Sequence, residues 1–351
     1  MVVVSLAAAV AALVGGSGPG EPPSLSQLAA PPAAVEPTLV ATTAPTVAST
    51  ATVVATVAAT VAVSDGLAAA PAPQFAQPPD LALAQPAAPV AAPPEGPLLP
   101  EYRVVSYYGH PHDPAMGIVG EHAIEDLAAM LEAEAANYAA ADPSRPVVPA
   151  FELIATVAQR DPGADGTYIL DTSRETLMAY IDYAAANGQL VILDLQIGRG
   201  TVASEIEKVR DLLAFPHVHL AIDPEFAVAE GQIPGEYIGS VTAESIAYAQ
   251  QVLAEISATN GIPPKLLVVH QFREDMIANK EQLGPYPGVQ LVIDADGYGA
   301  PELKTAVYNF LVRDEPVEFA GVKLFYRQDV PVMSAREILA LVPSPDVIIY
   351  Q

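Results

Sequence analysis

SRETLMAYIDYAAANGQLVILDLQIGRGTVASEIEKVRDLLAFPHVHLAIDPEF, residues 173–226, is the stretch that decides the fold. It alternates two textures, each occurring twice. Ser173–Asn187 carries apolar residues at helical spacing, with Thr172 or Ser173 as a capping residue and Gly188 just past its end. Gln189–Gln196 then runs apolar almost without a break. Thr201–Ala214 is helical again, and His217–Phe226 is again of strand type. Strands that are apolar on both faces belong to a parallel sheet covered by helices.

The same alternation extends both ways. Arg103–Tyr108, Pro146–Ala155, Lys265–Phe272, Val289–Asp296, Phe319–Tyr326 and Asp346–Gln351 read as strands. Glu121–Ala140, Ala243–Thr259, Arg273–Gln282, Pro301–Val312 and Ser334–Leu341 read as helices. About eight strands with intervening helices in roughly 250 residues specify an α/β fold, a (β/α)8 TIM-like barrel. An open doubly wound sheet would place a Gly-rich phosphate loop after its first strand, and Tyr107–Gly117 (YYGHPHDPAMG) is not one. No helix follows the last strand, and Leu98–Glu101 is placed to cover that gap.

Composition divides the chain into three parts. Residues 1–16 are an apolar run of signal-peptide length without a basic start, which reads as a truncated or atypical export signal or a plain apolar segment. Residues 17–99 are Ala-, Pro- and Thr-rich, with Phe75 as their lone aromatic, and read as a disordered stalk of an exported, extracellular or cell-surface protein. Residues 100–351 are the barrel. No Lys or Arg precedes Arg103, and the net charge is −26. That balance argues against nucleic acid and against docking on anionic lipid. The absence of cysteine excludes thiolate chemistry and disulfides. The chain reads as a monomer acting on a carbohydrate or other small polar substrate, with no cofactor.

In such a barrel the site lies at the C-terminal strand ends. There the sequence places Tyr108 and His110, Glu152, Asp194 and Gln196, Asp223 and Glu225, His270 and Gln271, Asp294 and Asp296, Lys323 and Tyr326, and Gln351. Period-two alternation puts His219, Ala221, Asp223 and Glu225 on one face of the fourth strand, pointing inward. Crowded carboxyls repel, so at least one should hold its proton well above its ordinary pKa, as a general acid requires. Lys323 needs an acidic partner if buried, Asp294 or Asp223. Arg199 binds an anionic group or pairs with nearby acids, and His217 and His219 read as core or bottom-face residues. Tyr107, Tyr108, Tyr298 and Tyr326 are the rings available for sugar stacking, since the chain has no Trp.

Asp223-Pro224-Glu225 resembles the D-x-E strand of two barrel glycosidase groups, the family 18 chitinases and the family 25 lysozymes. That resemblance implies glycoside hydrolysis with Glu225 as proton donor and Asp223 as its partner, and Asp194 and Asp294 as further catalytic candidates. The plain alternative for these residues is a strand-end turn with solvated acids. YYGHP, PAMGIVGE, LVILDLQIGR, HLAIDPEF, LLVVHQF and FAGVKLFY together resemble an uncharacterised group of exported bacterial barrel proteins, which brings no activity with it. His110-Pro111-His112 resembles the H-x-H of amidohydrolase-type barrels. On that reading Glu225, His270 and Asp294 would complete a metal centre of a hydrolase or phosphodiesterase. A non-catalytic glycan-binding barrel is the third alternative.

Overall fold

The computed structural model describes residues 96–351. The expected export signal, and the expected stalk up to residue 95, lie outside the described residues. Eight parallel strands form the barrel: β1 (Arg103–Gly109), β2 (Val147–Ala158), β3 (Leu190–Gln196), β4 (Val218–Asp223), β5 (Lys265–Gln271), β6 (Val289–Ala295), β7 (Phe319–Leu324) and β8 (Val347–Tyr350). Each pairs with the next, and β1 pairs with both β2 and β8, so the sheet closes. Closure removes the free edges that an open sheet would have to protect. A short strand, Ile169–Asp171, joins β2 antiparallel and carries it to Ala158, beyond the expected end at Ala155.

Six α-helices lie between the strands: α1 (Ile124–Ala141), α2 (Arg174–Asn187), α3 (Val202–Val209), α4 (Ala243–Asn260), α5 (Pro301–Tyr308) and α6 (Ala335–Leu339). Their limits follow local chemistry. Ser173, not Thr172, caps α2, accepting from Thr176 N–H, and Gly188 ends it in the left-handed conformation. Thr201 and Ser204, Thr242 and Ser245, and Ser334 and Glu337 form capping boxes on α3, α4 and α6. The helix expected at Arg273–Gln282 does not form. That segment is two short 3-10 turns about a two-residue strand, Ile277–Ala278, which pairs with Val241–Thr242. Asn279 is left-handed there (φ 60°), and Lys280 turns inward to donate to the Leu311 carbonyl. A continuous helix would leave that buried carbonyl without this donor.

Alternate residues of each strand face opposite ways, and two apolar layers result. Outward residues such as Leu193, Leu220, Val269 and Ile348 pack under the helices. Inward residues, among them Val148, Ala150, Ile192, Ala221, Leu266, Val268, Val292 and Ile349, fill the barrel's lower half. Leu98 and Leu99 belong to that inner layer. They do not cover the outside of β8, as expected, but plug the barrel floor. Gln290 on β6 clamps them: its Oε1 accepts from both backbone N–H groups (2.9 and 3.2 Å), and its Nε2 donates to the Leu99 carbonyl. The outer face of β8 is covered by α1 and α6, which lie side by side, and Tyr350 there shares a 2.8 Å hydrogen bond with Tyr138 of α1. No described helix is long and apolar enough to cross a membrane.

The Gln290 clamp gives a stability test. Gln290→Ala would strand two buried N–H groups and a carbonyl, at a cost on the order of 3 kcal/mol. Chemical denaturation of the full chain checks this, and an unchanged midpoint would contradict the clamp.

Candidate active site

Above its apolar floor the barrel interior becomes polar, at the height where the strands approach their C-terminal ends. Ser106 and Tyr108 of β1, Glu152 of β2, Asp194 of β3, Asp223 of β4, His270 of β5, Asp294 of β6 and Lys323 of β7 are all buried. Asp296, just past β6, is buried with them. The alternation that sends Ala150 and Ile192 inward sends Glu152 and Asp194 inward two residues later.

His270 is the hub. Its Nε2 lies 3.0 Å from Glu152 Oε1, and its Nδ1 lies 2.9 Å from Asp294 Oδ2. Asp194 Oδ1 and Asp296 Oδ2 stand further off, at 3.8 and 3.5 Å. A carboxylate on each nitrogen calls for an N–H on each, which makes the ring an imidazolium. Burial and the Lys323 charge push the ring's pKa down, but the bonds to Asp294 and Glu152 outweigh them and hold it well above the usual histidine value. Lys323 is the second cation. Its Nζ lies 3.2 Å from Asp296 Oδ2 and 3.6 Å from the centre of the Tyr108 ring. Its partner is therefore Asp296 and not the expected Asp294 or Asp223. Burial opposes the ammonium, and Asp296, Asp223 and Glu152 together keep it charged.

Six carboxyls (Glu152, Asp194, Asp223, Glu225, Asp294 and Asp296) thus face two cations, His270 and Lys323. Full ionisation would leave a large buried negative excess, which a protein interior does not tolerate. The excess is relieved by protons. Burial, with the charges of Asp223 and Glu152, pushes Asp194 up to about 7. Burial, with Asp223 and Asp296, pushes Glu225 up to about 8. Asp223 and Asp296 are raised as well, chiefly by burial.

Glu225 is set apart from the rest. The fourth strand ends at Asp223, and Pro224–Phe226 is a 3-10 turn, so Glu225 does not continue the strand face as alternation predicts. The cause is local: Asp223 Oδ1 accepts from Glu225 N–H at 2.9 Å, and Pro224 supplies the fixed φ of a first helical residue. The turn expected as the plain alternative is real, but its acids are not solvated: Asp223 is buried and Glu225 half-buried. Glu225 thus stands between the buried acids and solvent. Gly239 folds over it, donating its N–H to the Glu225 carbonyl at 2.6 Å.

Other expected site residues lie elsewhere. Gln271 faces outward and donates to the Arg273 carbonyl, holding the next loop. Gln196 is buried, but its Oε1 accepts from Ala158 N–H, joining β2 to β3. Tyr326 stacks on Tyr350 and bonds to Tyr107 outside the barrel. Tyr298 packs edge-on against Phe325. Tyr108 alone of the four tyrosines reaches the polar layer, where its hydroxyl donates to Asp194 and its face is covered by Lys323. Gln351 continues the β8 pairing through its backbone. His110 and His112 occupy the loop after β1, where His110 Nδ1 accepts from His112 N–H and His112 Nε2 meets Thr176 Oγ1. His219 is in the core, as expected, with Nδ1 accepting from Leu266 N–H. Arg199 packs over Tyr168 and donates to the Gln232 carbonyl, and pairs with no acid among the described residues. Residues absent from the sequence reading are Ser106, which donates to Glu152 Oε2, and the buried Lys304–Asp329 pair (2.9 Å) that joins α5 to the segment after β7.

His270, Asp294 and Asp296 offer ligand atoms within 4.8 Å of one another and could hold a metal ion. The histidine pair of the expected metal centre, His110 and His112, is not among them. No protein-family model matches the chain, and no curated protein sequence matches it.

The raised carboxyls carry a stability cost with a definite sign. A carboxyl whose folded pKa lies above its unfolded value loses stability as pH rises. For Asp194 that loss develops between about 4 and about 7. Asp194→Asn should therefore stabilise the protein on the order of 4 kcal/mol at pH 8 and hardly at pH 4. Denaturation midpoints of both proteins at the two pH values check this, and a stabilisation independent of pH would contradict it.

Proposed function

We propose that this barrel is a hydrolase working by carboxylate general acid–base catalysis, with Glu225 as the acid. The observation that carries the reading is a half-buried Glu225 that keeps its proton near neutral pH at the edge of a buried anionic network. A general acid needs a pKa near the working pH and access to the leaving group, and Glu225 combines the two. Asp223 bonds the Glu225 backbone and raises the Glu225 pKa by its charge. Asp194 and Asp294 line the network beneath and are the remaining candidates for base or nucleophile. The Asp-Pro-Glu sequence, with its likeness to barrel glycosidases, supports a glycosidic bond as the target. The Ala/Pro/Thr-rich N-terminal composition supports action at or outside the cell surface.

A metal-dependent hydrolase is the second reading, favoured by the convergence of His270, Asp294 and Asp296. A bound ion would need one His270 nitrogen as a lone pair and so would have to displace a ring proton, and it would compete with Lys323 for Asp296. The two readings part on a chelator.

Release of reducing ends from bacterial cell-wall and plant glycans tests the reading. Glu225→Gln should lower turnover by about 100-fold or more, with the parent indifferent to chelator. Activity abolished by chelator would transfer the function to the metal reading, and activity surviving in Glu225→Gln would remove Glu225 as the acid. Asp223→Asn provides a second check. Loss of the Asp223 charge lowers the Glu225 pKa, so the alkaline limb of kcat/KM should move to lower pH; an unmoved limb would contradict the coupling.

A further inference from the structure

The buried polar layer has acceptors to spare. Ser106 donates to Glu152, and Tyr108 donates to Asp194. His270 spends both nitrogens on Glu152 and Asp294. Lys323 is held by Asp296 and by the Tyr108 ring face. Left without any partner, and buried, are Asp194 Oδ1, Asp294 Oδ1 and Asp296 Oδ1. Gly321 packs closely against β6, where a Cβ would stand 3.0 Å from Asp294 Cα, Asp294 Oδ1 and Val292 Cγ1.

Unpartnered buried oxygens are rare and expensive. Here all of them in the layer are carboxyl oxygens, which accept once ionised. A phosphate, carboxylate or keto group would bring further acceptors to a wall whose unpartnered atoms are all carboxyl oxygens. An ammonium brings donors alone, with positive charge, and matches the excess of acid. No tyrosine ring stands free in the layer for stacking a neutral sugar, because Lys323 covers Tyr108. The net charge of −26 adds a long-range field that draws cations toward the protein.

We propose that the layer formed by Asp194, Asp294 and Asp296 binds the ammonium group of a small amine-bearing substrate. Under the glycosidase reading this is an amino sugar with a free, unacetylated amine. The inference takes from that reading only the location of the site, and substrate enters past Glu225. Recognition is by charge: the ammonium donates to the free carboxylate oxygens, while Glu225 remains the acid at the entrance. No covalent step is involved.

Three probes of nearly one size separate the possibilities: ethanolamine, ethylene glycol and glycolate, which are cationic, neutral and anionic. Each is titrated into the full chain by calorimetry and by NMR, at constant ionic strength in potassium chloride. Ethanolamine should bind at least about tenfold more tightly than ethylene glycol, with no binding of glycolate. Asp194→Asn and Asp296→Asn should each weaken ethanolamine by a similar factor. Equal binding of ethylene glycol, or any binding of glycolate, would overturn the proposal in the unaltered protein, so it does not depend on the variants folding. Magnesium or zinc that expels ethanolamine from the same residues would overturn it in favour of a metal centre. The titration measures no turnover. Ethanolamine binding without glycan release would keep this inference and sink the hydrolase, and the reverse pattern would do the opposite.

Discussion

His270 stands at the centre of the barrel with a carboxylate on each ring nitrogen, and the surrounding charges are arranged about that fact. Taking away either proton would leave a lone pair facing a buried anion, so the ring keeps both. Its charge, with that of Lys323, makes it tolerable to bury Glu152, Asp294 and Asp296. Two cations cannot neutralise all the acids present, and part of the remainder is met by protons on Asp194 and Glu225, with Asp223 and Asp296 also raised. The raised carboxyl pKa values are thus consequences of a count, sharpened by desolvation. They recur wherever several acids share one low-dielectric space.

The same count divides labour between two kinds of backbone. The hub residues sit on strands whose register is fixed by closure of the barrel, and they are held on both sides by paired neighbours. Glu225 sits on a turn, pinned by Asp223 below and Gly239 above. Gly239 has no alternative residue there: a Cβ would lie 2.4 Å from Ala227 N and 2.5 Å from the Pro224 carbonyl oxygen.

The fold was legible because each strand is a long apolar run and most helices carry their own caps. Thr201, Thr242 and Ser334 cap helices that begin where expected, Gly188 stops α2 and Gly261 stops α4. Arg273–Gln282 misled because its composition suits a helix while its role is to turn Lys280 inward, a demand set by the distant Leu311 carbonyl. Alternation found Glu152, Asp194, Asp223 and Asp294, since a strand fixes the direction of a side chain. It failed at Glu225 alone; strand-end position, without regard to alternation, is what put Gln271 and Tyr326 at the site. Glu225 lies beyond the last strand residue, where the period of two no longer applies, and Asp-Pro was the sign of that change. Gln271 obeys the alternation, one residue after inward His270, and so faces out. The centrality of His270 was not legible at all, because it depends on Glu152 lying opposite it, 118 residues earlier in the chain.

The protonation state of His270 is the most direct measurement. In full-length protein labelled with ¹⁵N-histidine, the ring nitrogens of His270 are observed at pH 8, with and without chelator. A charged ring held by Glu152 and Asp294 gives two protonated nitrogens at that pH, well above the ordinary histidine range. One protonated and one bare nitrogen would contradict it, and would return Asp294 or Glu152 to the pool of unbalanced acids that a metal ion could claim.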